Sequence, residues 1–161
     1  MSVSDTNIGG TIHGGVVMKL CDEAAALAAV RHCHSRVVTA GMDRMTFLEP
    51  VELGDLVTFK ASVNAVWQTS MEVGVRVEAE RPRTGAVRHT SSAYLTMVAV
   101  DENGRPAPIL PLKTEGPDEL RREREAQTRR HNRLTERRHL QEAAETDQAH
   151  AAMLEPGLPG G

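Results

Sequence analysis

Aromatic residues are nearly missing from this sequence: Phe47, Phe59, Trp67 and Tyr94 are the whole set among 161 residues. A core must therefore be assembled from Val, Leu, Met and Ala, and a nucleic-acid platform of stacked rings is nearly excluded. An excess of charge of one sign is missing too. Lys and Arg number 19 against 22 Asp and Glu, a net charge of -3, so the molecule as a whole advertises neither nucleic acid nor a membrane as partner. No apolar run is long enough to cross a bilayer, and the opening stretch lacks a basic start, an apolar middle and a small-residue cleavage site. A cytoplasmic location is expected. Only two cysteines are present, Cys21 and Cys33. They fall on one predicted helix, where they cannot reach each other, which predicts reduced thiols.

What is present changes character near Pro111. The first part holds most of the apolar content and all the regular alternation. The run "GGVVMKLCDEAAALAAVRHC" is Ala-rich, free of proline and opened by glycines, which predicts a long helix. Its second half is apolar on every side, as in a helix enclosed by protein. Strand signals follow: a β-branched stretch from Val37 to Phe47, alternation through Val57, Phe59, Ala61 and Val63, again through Val73, Val75 and Val77, and "HTSSAYLTMVAV" ending at the turn "DENG". One helix followed by strands on short turns predicts an α+β domain, an antiparallel sheet packed on a helix. That domain is placed at residues 1–115. Residues 116–161 form an Arg/Glu-rich tail, helical or partly disordered, too polar to fold alone, with "EPGLPGG" as a disordered end.

Four stretches are weighed for chemistry. "NIGGTIHGG", Asn7 to Gly15, is either a flexible entry loop with a cap, or a backbone that approaches a ligand closely and aims first-turn N–H groups at an anion. Asp22 and Glu23 interrupt the apolar helix. Lys19 explains Glu23 as a surface pair four residues away. Asp22 has Met18, Ala25, Ala26 and Ala29 as helical neighbours, so it must be paired (with Lys19, three residues away, a possible partner), hydrogen-bonded or functional. "RHCH" at the helix end points its side chains in different directions and cannot chelate one ion; basic residues there suit the helix dipole. The eight Arg between Arg121 and Arg138 are interspersed with Glu, as on a solvated helix, with attraction for ligand phosphates the weaker reading.

In their order, "NIGGTIHGGVVMKLCDEAAALAAVRHC", "VVTAGMDRMTFLEPVELGD", "TSMEVGVRVEAE" and "AYLTMVAVDENGRPAPIL" resemble the hotdog-fold acyl-CoA thioesterases, in particular the group of the brain-type cytosolic acyl-CoA hydrolases. The likeness covers about residues 5 to 125. It implies a long central helix wrapped by a curved antiparallel sheet, pairing of two such domains, and assembly of dimers into a hexamer as trimer of dimers. The brain-type chains carry two repeats and this one carries one, so its sites would form between identical subunits. The family's Asn in the loop and Asp in the helix fall on Asn7 and Asp22. The same resemblance implies hydrolysis of acyl-CoA to fatty acid and CoA, with Asp22 as general base or nucleophile and Asn7 of the other chain positioning water or thioester. N–H groups near Gly14 and Gly15 would receive the oxyanion, His13 would line the site, and Ser70 and Met71 would contact the pantetheine arm. No metal or redox cofactor, nucleic acid or membrane is called for. Spacing independently supports a shared site: Gly15 and Asp22 lie roughly 10 Å apart along one helix, too far to serve one reacting carbon. A hotdog dehydratase or hydratase and a non-catalytic acyl-CoA-binding module are the alternatives.

Overall fold

The computed structural model describes residues 3–43 and 45–154. The glycine-bracketed run forms helix α1, Gly14–Cys33. The His13 ring caps its start, Nδ1 accepting the Gly15 N–H at 3.0 Å. His34 ends it in the left-handed conformation (φ 52°), its N–H donating to the Val30 carbonyl at 2.8 Å.

Five antiparallel strands follow: β1 (Arg36–Met42), β2 (Thr46–Phe47), β3 (Leu56–Val66), β4 (Ser70–Arg81) and β5 (Ala86–Val100). The sheet order is β1-β5-β4-β3, with β2 also paired to β5. The Val37–Phe47 signal is thus divided between two strands. A register shift between Thr39 and Gly41 bends β1, and the chain rejoins β5 only at Thr46.

The core lies where period two meets period 3.6. Met71, Val73, Val75, Val77 and Ala79 of β4 and Ala93, Leu95 and Met97 of β5 face α1, which presents Val17, Cys21, Ala25 and Ala29 at every fourth position. Small residues in that stripe let the helix lie close to the sheet. Each fully buried Val, Leu or Met stabilises the fold by about 1.5–3 kcal/mol relative to its exposed state. The stripe is narrow, however: Leu27 is 70% exposed, and Met18 and Val30 are 42% exposed. The expected enclosure of α1 is therefore not met within one chain, because a single sheet covers one helix face only.

Both cysteines are free. Burial pushes the Cys21 thiol from 9.0 up to about 11. Because the folded value lies above the ordinary one, the thiol's contribution to stability is intact below about pH 9 and lost as pH rises towards 11. Cys21 is expected to escape alkylation at pH 8 in the native protein and to react once denatured, as mass spectrometry would show.

Residues Pro117–Leu154 form a second helix, α2, with Arg121–Asp118 and Arg122–Glu119 pairs three residues apart. One compact unit ends at Arg122 and another starts at Glu123. The "EPGLPGG" end lies outside the described residues. Among the described residues no helix is long and apolar enough to cross a membrane.

Candidate active site

Asn7 holds its loop closed. Its Oδ1 accepts the N–H groups of Gly9 (2.8 Å) and Thr11 (3.3 Å), and its Nδ2 donates to Thr11 Oγ1 (2.9 Å). The Asn7 N–H donates to the Thr11 carbonyl, and Gly10, at φ +79°, returns a bond to the Asn7 carbonyl. The segment is thus a tied turn, where flexibility was one expectation.

Five of the six amides from Ile12 to Val17 have acceptors. Ile12 donates to the Val51 carbonyl, His13 to Asp5, Val16 and Val17 to His13, and Gly15 to the His13 ring. Among the described residues the Gly14 N–H, at the positive end of α1, is the one of the six with no acceptor. Of the two glycines expected to receive an oxyanion, Gly14 therefore has the open donor, while Gly15 is already occupied. His13, expected to line the site, acts first as the helix cap.

Asp22 is half-buried on the flank of α1 that faces β1. Thr39 Oγ1 donates to Asp22 Oδ1 at 2.6 Å, a short contact of the kind a carboxylate makes with a hydroxyl. Oδ2 has no partner among the described residues. Lys19 turns instead to Glu23, at 3.7 Å. The surface pair is as expected, and the structural explanation of Asp22 by Lys19 does not hold. Thr39 was not singled out from the sequence; its one signal there is a hydroxyl amid the β-branched run that follows the helix.

The row beneath is continuous. Thr39 pairs with Met97 and Met97 with Met71 across β1, β5 and β4. Met71 is fully buried in this row. It offers a ligand no surface, so the expected pantetheine contact is corrected to a supporting place in the core: strand alternation turns it towards α1. Ser70, its half-buried neighbour, opens β4 opposite Val98.

The candidates fall into two groups on one chain. Asn7, His13 and Gly14 stand at the start of α1; Asp22 and Thr39 stand halfway along it. Gly14 and Asp22 are about 12 Å apart along the axis. At the other end of the helix, His32 Nε2 meets the Leu110 carbonyl at 3.0 Å and Cys33 meets Ser35. Among the described residues no three His, Cys, Asp or Glu converge as metal ligands.

Two hollows adjoin α1. The larger, about 540 Å³, lies between α1 and β3 and includes Ala24, Ala28, Arg31 and Phe59. At about 100° per residue, those helix positions point roughly opposite to Asp22, so it is not the cleft of that carboxylate. The smaller, about 290 Å³, borders Gly14.

An antiparallel sheet laid on a long helix, with an open amide at the helix start and an oriented carboxylate along it, is the layout of a hotdog thioesterase. The comparisons agree. Residues 9–86 match the thioesterase superfamily. Protein VdlD of Helicobacter pylori is 41% identical over 116 residues, 72% of this chain. The chain spans 66% of that relative's length, just under two thirds. The uncharacterized acyl-CoA thioester hydrolase YkhA of Bacillus subtilis is 37% identical over 140 residues, covering 87% of this chain and 81% of YkhA.

Among solved structures, an apo-hexameric acyl-CoA thioesterase shares 40% identity with a TM-score of 0.82, over 84% of this chain and 87% of its own. The Staphylococcus aureus acyl-CoA hydrolase, solved with butyryl coenzyme A, coenzyme A and coenzyme A disulfide, has 31% identity and a TM-score of 0.82, over 91% and 89%. Variants of that hydrolase with an Asn, an Asp and a Thr replaced by Ala have also been solved; the three positions are spaced 15 and 17 residues apart. This chain belongs to the thioesterase superfamily, among the acyl-CoA thioester hydrolases.

Proposed function

We propose that the protein hydrolyses acyl-CoA to a free fatty acid and CoA, at sites each assembled from two copies of the chain. The observation that carries this reading is the Asp22 carboxylate, oriented by Thr39 through one oxygen and open at the other. Asn7, Asp22 and Thr39 also repeat the 15- and 17-residue spacing of the positions replaced in the Staphylococcus hydrolase.

In the proposed reaction Asp22 Oδ2 takes a proton from water as the water oxygen bonds to the thioester carbon. The carbonyl oxygen becomes an oxyanion facing the Gly14 N–H of the other copy, near that copy's Asn7. The C–S bond then breaks, and the proton held by Asp22 passes to the departing thiolate. Attack by Oδ2 itself, giving a mixed anhydride that water later cleaves, is the alternative. The residues of this chain suffice for either course, with no resident metal or redox group.

Two copies are required because Gly14 and Asp22 of one helix are too far apart to reach one carbon. The exposed Met18, Leu27 and Val30, together with β1 at the sheet edge, offer the surface for pairing. A dimer, and beyond it a hexamer, is proposed. Sedimentation under assay conditions should find no active monomer. Two free thiols suit the proposed cytoplasmic location, where the reaction would serve lipid metabolism. A dehydratase reading gains no support at Asp22, which among the described residues is held by the Thr39 hydroxyl and not by a histidine.

Release of free thiol across an acyl-CoA series tests the activity directly. Tight binding without release would favour an acyl-CoA-binding module. Thr39 supplies a further test. Thr39→Val keeps the shape and removes the donor, and should lower kcat about tenfold or more with little change in KM. Thr39→Ser should restore most of it.

A further inference from the structure

The smaller cavity beside Gly14 has an apolar floor. Ile12, Val17 and Val51 are each at most 5% exposed, and Phe47, Leu48 and Pro50 complete the wall. The Phe47 ring lies so close to the first helical turn that a methyl built on Gly14 would stand 3.3 Å from its Cζ. The polar groups at the edge already have partners: the Thr11 hydroxyl accepts from Asn7, and the Glu49 carboxylate faces Arg88 at 3.5 Å. The hollow therefore asks for an apolar occupant, and it opens beside the Gly14 N–H, which has no acceptor among the described residues and can hold a carbonyl oxygen.

We propose that this cavity receives the acyl chain and sets its length, with Phe47 and Val51 as specificity-determining residues. The inference rests on the hydrolase reading above. With the thioester oxygen about 3 Å from the Gly14 N–H, the first methylenes must lie against Gly14 itself, where the cavity begins. Allowing about 30 Å³ for each methylene, similar to the volume of one water, a hollow of about 290 Å³ holds an unbranched chain of up to about eight to ten carbons. A chain ending in carboxylate would bury an unpaired charge and be rejected. The preferred substrates are thus methyl-terminated short- to medium-chain acyl-CoAs.

The test is a kcat/KM profile over acetyl-, butyryl-, hexanoyl-, octanoyl- and dodecanoyl-CoA. In the parent it should rise about fourfold per added methylene, the factor for burying one such group, and level off near octanoyl. Phe47→Ala removes a half-exposed wall and should raise the dodecanoyl-to-octanoyl ratio at least about fivefold, a change read within one folded variant. Val51→Phe fills the floor and should lower the octanoyl-to-acetyl ratio at least about tenfold; should it not fold, Phe47→Ala alone decides. A flat parent profile, or a Phe47→Ala ratio within twofold of the parent's, overturns the chain-length site and leaves the hydrolase reading standing. Release of CoA from none of these esters overturns the activity itself, and the subsite with it.

Discussion

Asp22→Asn is expected to fold and assemble like the parent and to lose at least about a hundredfold in turnover. Asn has nearly the size of Asp, and its amide oxygen can still accept the Thr39 hydroxyl, so the packing under α1 is kept. What disappears is the charge that takes a proton from water or attacks the carbonyl, and loss of a general base alone typically costs about 10²–10⁴-fold. Acyl-CoA binding should stay within a few-fold, because the change falls on the reacting atoms. Glu23→Gln is the matched control. Its exposed pair with Lys19 contributes only a few tenths of a kcal/mol, so the effect should be mild. Near-normal turnover in Asp22→Asn, or greater damage from Glu23→Gln, would show that the acid has been assigned wrongly. Single turnover in ¹⁸O-water tests for the anhydride: label found in Asp22 requires it, because water attacking the thioester directly leaves the Asp22 carboxylate unlabelled.

Mixing two inactive chains should restore activity. Asn7→Ala and Asp22→Ala each disable every site in their own homodimers. If Asn7 and Asp22 at one site come from different copies, a mixed dimer holds one intact site and one doubly altered site. Random exchange makes half of the dimers mixed, so about a quarter of parental activity should return. Subunit exchange would be followed with a mass-tagged chain, and the rate recorded as exchange proceeds. Full exchange without recovery would mean that both residues act within one chain, against the helical spacing. Asn7→Ala also removes the bonds that close its loop, so the mixture has to be judged against the folded Asn7→Ala homodimer.

Much of this fold was legible because its elements obey local rules. The Ala-rich run between Gly14 and Cys33 has the composition of a helix, and the alternation from Val57 and from Val73 became β3 and β4. Lys19 and Glu23 met at the spacing that predicts it. The site was legible only as a set of names. The helix pattern and the glycine-rich loop marked Asp22 and the Asn7–Gly15 stretch, and the family resemblance supplied the roles of Asn7 and Asp22, while Gly14 and Gly15 ranked alike and Met71 was assigned a contact that its burial denies.

By itself the sequence determined an α+β chain with one long helix, reduced thiols, a surface-paired Glu23 and a glycine-rich loop ahead of the helix, because period, spacing and turn chemistry act over a few residues. Tertiary structure decided the rest. Thr39 reaches Asp22 only because the sheet brings β1 under the helix flank, 17 residues further along the chain. Val51 takes up the Ile12 amide, Asp5 takes up that of His13, and the His13 ring takes up that of Gly15; what they leave open is Gly14. The same folding turns Met71 into the core and leaves Leu27 bare. Such outcomes depend on which distant groups compete for one donor or one face, and that competition is settled only when the chain packs.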